Sequence, residues 1–316
     1  MGHVLIRKLV DKGYFVNIID PLIFGHHLYK EFVTHEKVEF HIGMAEDKYL
    51  LEKSLEGINT VIHLSGLSND PSCELNEDLT KKMNVDATIN LLKMSKDKGV
   101  ERFLYASSCS VYGFTQGAVV NEESPLNPLT AYARSKVEGE EIIMKEATNS
   151  LIVTALRKAT LYGPSKRMRF DLVINTMTGM AISEKRIIIN GGRQWRPFLH
   201  VEDAADSYIF MLEADGKLIN KQIFNVGCNE DNLQIVDVAH RVSKIIEGTE
   251  VITHPTEDER SYRVSFDKIN NIGWRTKKTV EDGIYGVKKL FDDGEVTNFR
   301  DINYFNIKRM ISYLNI

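Results

Sequence analysis

Apolar runs of five or six residues alternate with stretches of helical period through the first half of the chain. Residues 15–19, 38–42, 60–64, 102–106 and 151–156 read as strands, and residues 3–12, 48–55, 79–98 and 131–147 as helices. Glycine closes three of the helices, at Gly13, Gly57 and Gly99, where it takes the left-handed conformation at little cost. Strands alternating with helices imply an α/β fold, a doubly wound parallel sheet with right-handed crossovers. Past Leu156 the rhythm loosens into loops, short strands and helices, which suits a smaller second lobe. Residues 1–160 are therefore expected to form the sheet domain. Residues 161–316 are expected to form mainly the second lobe, with some segments returning to the sheet.

Composition narrows the class. With 316 residues, 43% hydrophobic and 27% charged, the chain can bury a sizeable core. A net charge of −4, with lysine and arginine scattered, gives no reason to expect nucleic acid. No apolar run approaches eighteen residues, so no membrane span is expected, and no leader peptide is evident. Cys73, Cys109 and Cys228 have neither metal-ligand nor disulfide-framework spacing; no metal site is expected, and the cytoplasm is the expected compartment.

Candidate chemistry begins with Tyr132 and Lys136, four residues apart on a helix and so on one face. An ammonium beside a phenol favours the phenolate, which would let a group with a pKa of about 10 act as a base near neutrality. Ser107 and Ser108 lie upstream, and a hydroxyl there can hydrogen-bond the same substrate oxygen. That is equipment for removing a proton from an alcohol as hydride leaves its carbon. The pair alone is unspecific, because a helix with one aromatic and one solvated lysine looks the same.

The amino end is unusual for a dinucleotide-binding sheet, which should open with an apolar strand and a Gly-rich turn before the first helix. Here Met1-Gly2 runs directly into the helix His3-Val4-Leu5-Ile6-Arg7-Lys8-Leu9-Val10. Gly2 fits the third glycine of a Gly-x-x-Gly-x-x-Gly turn. An amino-terminal truncation, natural or from a misplaced start, is the preferred expectation.

Four motifs in order carry a family resemblance. They are Phe103-Leu104-Tyr105-Ala106-Ser107-Ser108-Cys109-Ser110-Val111-Tyr112-Gly113; Tyr132-x-x-x-Lys136; Leu156-Arg157-Lys158-Ala159-Thr160-Leu161-Tyr162-Gly163-Pro164; and Gln194-Trp195-Arg196-Pro197-Phe198-Leu199-His200-Val201-Glu202-Asp203. Over nearly its whole length the chain resembles the extended short-chain dehydrogenase/reductases of the nucleotide-sugar epimerase/dehydratase group, which includes UDP-glucose 4-epimerase. The resemblance implies a Rossmann-type NAD-binding domain over residues 1–160 and a C-terminal α/β lobe that binds a nucleotide-diphosphate sugar. It implies Ser108 as the catalytic hydroxyl, Tyr132 as base and Lys136 as its helper, the last two also touching the cofactor. Asp20 matches the acid on the adenosine ribose, whose charge disfavours a 2′-phosphate and so selects NAD. Gly43-Met44 stands where relatives carry Gly-Asp, leaving Met44 packing or the Ala45 backbone to meet the adenine, with Asp47 an exposed helix-start acid. Gly2, the small stretch Leu64-Ser65-Gly66, Ser107 and Thr160 complete the implied cofactor set.

On the substrate side, Arg196 matches an arginine that relatives place on the nucleotide pyrophosphate. Arg260 and Arg263, in Asp258-Glu259-Arg260-Ser261-Tyr262-Arg263, offer a second clamp at altered spacing, and Arg169 and Asn175 are expected in the same cleft. Asn84, His200 and Asp203 are read as structural, His63 as a core histidine, His26-His27 as a loop pair and Cys109 as a packed residue. Family members pair through two helices of each subunit, so a homodimer through residues 79–98 and 131–147 is implied.

Three functions remain open. A 4-epimerase would oxidise the sugar at C4 and return the hydride to the other face of a transient 4-keto sugar. A 4-ketoreductase or 4-dehydrogenase would use the same residues and stop halfway. A non-catalytic truncated nucleotide-binding protein would keep the fold and bind NAD weakly. The 4,6-dehydratases place Asp-Glu directly after the catalytic hydroxyl; Cys109-Ser110 here argues against dehydration.

Overall fold

Strands form where the apolar runs predicted them, with bounds displaced by at most two residues. The computed structural model describes residues 1–255 and 260–315, so Asp258 and Glu259 of the quoted arginine motif lie outside the described residues. Helix α1 (Gly2–Asp11) leads into β1 (Val16–Asp20), α2 (His27–Phe32) into β2 (Val38–Ile42), and α3 (Lys48–Ser54) into β3 (Thr60–His63). Short helices α4 (Asp70–Glu74) and α5 (Glu77–Lys81) precede a π-helical turn, Lys82–Asp86, that continues as α6 (Ala87–Asp97). Then come β4 (Arg102–Ser108), β5 (Phe114–Val120), α7 (Ala131–Lys145), β6 (Ile152–Lys158), β7 (Thr160–Tyr162), α8 (Val173–Glu184), β8 (Arg186–Asn190) and β9 (Trp195–His200). The remainder is α9 (Val201–Glu213), α10 (Gly216–Ile219), β10 (Gln222–Val226), β11 (Asn232–Gln234), α11 (Ile235–Ile245), β12 (Glu250–His254), β13 (Ser261–Val264), α12 (Asp267–Asn271), α13 (Val280–Asp292) and α14 (Asn306–Leu314).

The central sheet is parallel, in the order β10-β6-β4-β3. Helices cover both its faces, so β4 and β6 are buried through their middles, as parallel strands require. Phe103, Leu104, Val153, Ala155 and Leu156 have 0% exposure. Burial of each larger side chain among them stabilises by about 1.5–3 kcal/mol. Strands β5 and β13 pair in parallel, which ties the first half of the chain to the last quarter; β7-β9-β11 and β8-β12 build the rest of the second lobe.

Two local features depart from the sequence pattern. His26-His27, read as a loop pair, instead opens α2: His26 caps it and His27 is its first residue. Glu31 on that helix reaches back to α1, bonding His3 at 2.5 Å and pairing with Arg7, so tertiary contacts stabilise a six-residue helix that local propensity does not favour. The long predicted helix at 79–98 is interrupted by the π turn, where Asn84 is drawn towards the chain before it. Asn84 Oδ1 accepts from Leu67 N at 2.7 Å, and its Nδ2 donates to Leu67 O at 3.1 Å and Ser135 Oγ at 2.9 Å. This bracing is the structural role expected of Asn84.

Strands β1 and β2 pair with each other in register from Val16↔Val38 to Asp20↔Ile42, separately from the central sheet. Among the described residues, the second edge of β1 and the second edge of β3 have no strand partner, and residues 16–20 and 60–64 line one and the same cavity.

Candidate active site

A cavity of about 1200 Å³ runs the length of β1 and β3 between the two strands and reaches the carboxyl ends of β4 and β6, the place where open α/β sheets bind ligands. It is lined by Gly2, Asp20, Met44 and Ala45, by Ser108, Tyr132 and Lys136, and by Arg196 and Arg260. Residues from both halves of the sequence thus share one wall.

Helix α7 carries the central pair. Its N-cap Thr130 accepts from Ala133 N at 3.1 Å, which fixes the first turn and, with it, Tyr132. Lys136 follows one turn later and is 5% exposed; its Nζ lies 5.1 Å from the Tyr105 ring centroid and 5.7 Å from that of Tyr132. Gly139 allows this approach, since a Cβ there would meet Tyr105 Oη at 2.1 Å. Ser108 ends β4, and its Oγ accepts from Ser110 N at 3.2 Å.

One further turn along, Glu140 enters the sheet. Its carboxylate accepts from Ser107 Oγ at 2.5 Å and from Arg157 Nε and Nη2 at 2.9 and 2.7 Å, with Glu140 and Arg157 3% and 2% exposed. Arg157 Nη1 also donates to Tyr112 Oη at 2.9 Å. The Ser107 hydroxyl thereby commits its proton to Glu140.

Burial dominates the electrostatics of the central pair. Burial pushes the Tyr132 phenol well above its ordinary value, and the Ser108 hydroxyl pulls it back only in part. Burial also lowers Lys136, to about 8. Desolvation is the largest influence on both groups. Lys158, on β6, is likewise pushed far down by burial, with Lys136 adding to the effect; its Nζ donates to Ser107 O at 3.0 Å and Tyr208 Oη at 2.9 Å.

The chain's own groups fit a dinucleotide. Gly2 opens α1, and a Cβ there would find only Leu64 Cδ1, at 4.0 Å, so the helix start faces open space. Gly66 (φ 120°) leaves no room for a side chain, since its Cβ would sit 2.5 Å from Asn84 Oδ1. Asp20 accepts from Leu22 N at 2.7 Å, and burial raises its pKa. Leu64, Ser65 and Thr160 also line the cavity. Asp47 is not in this wall; it caps α3 by accepting from Tyr49 N and Leu50 N, as an exposed helix-start acid should. His63 is a core residue between Thr88 Oγ1 (2.9 Å) and Ser65 Oγ (3.1 Å), pushed down to about 3 by burial. His200 caps α9, and Asp203 holds Lys277 N and Lys278 N; both are structural. Cys109 is packed, with its Sγ donating to Arg157 O.

Besides Ser108, the five other expected substrate residues divide. Arg196, stacked on Tyr262 at 5.3 Å, and Arg260, 2.5 Å from Asp70 Oδ2, line the cavity, and Arg196 donates to Arg260 O. Arg169 lines it too, paired with Asp171 at 2.9 Å. Asn175 lines the cavity as well, 2% exposed, with its amide bonded to Gly163 and Arg169 backbone, so it braces the turn there. Arg263 does not line the cavity: β13 pairs with β5, which turns its guanidinium onto Trp195 at 5.1 Å and onto Gly117 O. Sequence reasoning missed Asp70, Thr130 and Arg167. Asp70 accepts from Thr130 Oγ1 at 2.5 Å as well as from Arg260, a convergence of three distant segments with no local signature.

Comparison with known proteins agrees with this architecture. The model for the NAD dependent epimerase/dehydratase family matches residues 1–227. A putative UDP-glucose 4-epimerase of Methanocaldococcus jannaschii is 27% identical over 292 residues, covering 90% of this chain and 92% of that protein. A UDP-N-acetyl-alpha-D-glucosaminuronate decarboxylase of Bacillus cytotoxicus is also 27% identical, over 86% of this chain and 84% of its own length. The structure of UDP-glucose 4-epimerase from Thermotoga maritima with UDP-glucose superposes with a TM-score of 0.83 at 22% identity, over 93% of this chain and 96% of that one. The chain belongs to the NAD-dependent epimerase/dehydratase family and has its Rossmann-type fold. NAD is its cofactor; relatives equally similar in sequence carry out different reactions.

Two measurements follow from the geometry. Glu140→Ala leaves the Arg157 cation buried without its partner and should destabilise the fold by about 3–5 kcal/mol, read by denaturant melts. In the absence of cofactor, Tyr132 should resist ionisation above pH 10: an ultraviolet titration of the wild type minus Tyr132→Phe should show one phenol titrating above the ordinary value of about 10. Because the folded-state value is raised, the stability this phenol contributes is complete below about pH 10 and declines above it.

Proposed function

We propose that the chain is a nucleotide-sugar 4-epimerase working through a transient 4-keto sugar. The observation that carries this reading is the meeting of Ser108, Tyr132 and Lys136 in a single cavity that the start of α1, Asp20, Arg196 and Arg260 also line. When bound, NAD supplies the hydride acceptor and, in its oxidised form, the positive ring charge that the buried phenol lacks. Gly2, Asp20, Met44, Ala45, Leu64, Ser65, Gly66, Thr160 and the Ser107 backbone would hold it, together with Tyr132 and Lys136.

Tyr132 removes the proton of the C4 hydroxyl and later returns one to the same oxygen. Ser108 hydrogen-bonds that oxygen and keeps it in place as the carbon flattens. Lys136, lowered to about 8 and so still mostly protonated at neutrality, compensates the phenolate. Arg196 and Arg260 suit the diphosphate, for which a planar guanidinium is well matched. The names of the M. jannaschii and T. maritima proteins support a UDP-sugar as the substrate class. Dehydration is disfavoured because the two positions after Ser108 hold Cys109, buried with its thiol on a carbonyl, and Ser110, where a proton-shuttling carboxylate would be needed.

Pairing of two copies through residues 79–98 and 131–147 belongs to the same proposal, supported by Ile89, 43% exposed on α6. Three unpaired cysteines suit a reducing compartment, here the cytoplasm. No described helix is long and apolar enough to cross a membrane.

Incubating the purified protein with UDP-, dTDP-, GDP- and CDP-hexoses and following C4 configuration by NMR tests the reading. Inversion without added reductant is the expected result. A stoichiometric demand for NADH or NAD would replace it with a 4-ketoreductase or 4-dehydrogenase. Tyr132→Phe should lower kcat by at least 100-fold with little change in sugar-nucleotide binding; full activity in that variant would overturn the assignment.

A further inference from the structure

Arg260 and Arg196 line the same cavity, and Arg196 Nη1 donates to the Arg260 carbonyl, which keeps their two segments side by side. The Arg260 guanidinium already has an anion beside it. Its Nη1 donates to Asp70 Oδ2 at 2.5 Å, and Asp70, the first residue of α4, lines the cavity too. The other oxygen of that carboxylate, Oδ1, accepts from Thr130 Oγ1 at 2.5 Å. The two side chains of the ion pair are 37% and 21% exposed, so solutes in the cavity reach it. A pair at that exposure is weak, and an arriving anion can compete for it.

Asp70 is not able to follow its partner. Around it, α4 is fastened to the start of α7: the N-cap Thr130 bonds Asp70, and one turn on, Glu74 Oε1 accepts from Ala131 N at 2.9 Å. On the preceding residue, Asn69 Nδ2 donates to Asp171 Oδ2 at 3.2 Å. The carboxylate is therefore held at a set place in the wall, while the Arg260 guanidinium sits at the end of a long side chain. A guanidinium binds a phosphate best through two parallel N–H donors. Here part of the fork is spent on Asp70, and a phosphate drawn to Arg260 meets a fixed carboxylate as well.

We propose that Asp70 is an internal competitor for Arg260. It holds the guanidinium in the empty site and has to be displaced by the diphosphate of the incoming nucleotide sugar, which sets affinity for that group below what the arginine alone would give. The inference rests on the reading of Arg260 as a diphosphate ligand. The same carboxylate recaptures Arg260 afterwards and so loosens the product.

Isothermal titration with UDP and dTDP, and with uridine and thymidine, tests it on the unaltered chain, Asp70→Asn, Arg260→Met and the double variant. Asparagine keeps an acceptor for Thr130 but not the charge. Asp70→Asn should bind the diphosphates roughly three- to tenfold more tightly and the nucleosides as before. Disturbing the start of α7 would weaken binding, so a gain separates competition from a structural role. Arg260→Met should bind the diphosphates at least about tenfold more weakly, and adding Asp70→Asn to it should change little. Diphosphate affinity unchanged or lower in Asp70→Asn, with Arg260→Met still weakening it, would overturn the proposal and leave Arg260 as a diphosphate ligand. An equal gain from Asp70→Asn with and without Arg260 would also overturn it, since the carboxylate would then act by repulsion alone. If Arg260→Met left diphosphate affinity intact, or the unaltered chain bound neither diphosphate, the assignment of the arginine would fail and this inference with it.

Discussion

The buried pair between Glu140 and Arg157 is the constraint on which the site depends. It joins the middle of α7 to β6, and through Ser107 and Tyr112 it reaches β4 and the turn that follows. Tyr132 and Lys136 lie two turns and one turn before Glu140 on the same helix, so wherever this carboxylate is anchored, they are set in depth and rotation. A buried ion pair is not in itself a strong source of stability. Its value here is orientation: every donor of the guanidinium fork that bonds Glu140 or Tyr112 fixes one more degree of freedom between helix and sheet. Gly139 completes the arrangement by letting α7 lie directly against Tyr105.

Much of this was legible in the sequence, for reasons that differ by residue. The strands and main helices announce themselves through period, and the serine, tyrosine and lysine motifs through spacing, because those relations are local. Asn84 was identified as a brace but not as the centre of a π turn, since its bonds to Leu67 and Ser135 arise only on packing. The desolvation of Tyr132 and Lys136 is hidden for a similar reason. A four-residue spacing reports that an ammonium is near, and says nothing of how much water both groups lose. Desolvation is a property of the folded cavity.

The arginines show the same division. Arg196 and Arg260 reach the cavity as their motifs implied, whereas Arg263, three residues beyond Arg260 in a strand, is directed by pairing with β5 towards Trp195. Arg167 and Asp70 became visible only once segments more than a hundred residues apart were brought together. Sequence patterns thus located the candidate residues along the chain, and tertiary contacts decided which cations line the cavity.

The turn at Lys82–Asp86 has a consequence for everything that follows it. A π turn carries one residue more than the α ladder, and each residue of a helix advances the side-chain direction by about 100°. Asn84 can point back to Leu67 while Leu91 and Leu92 still face the core and Ile89 faces outward only because that extra residue is there. Were the ladder regular, the same sequence would rotate its leucines towards solvent. The inserted residue therefore acts as a phase shift, reconciling the brace needed at one end of the helix with the hydrophobic face needed at the other.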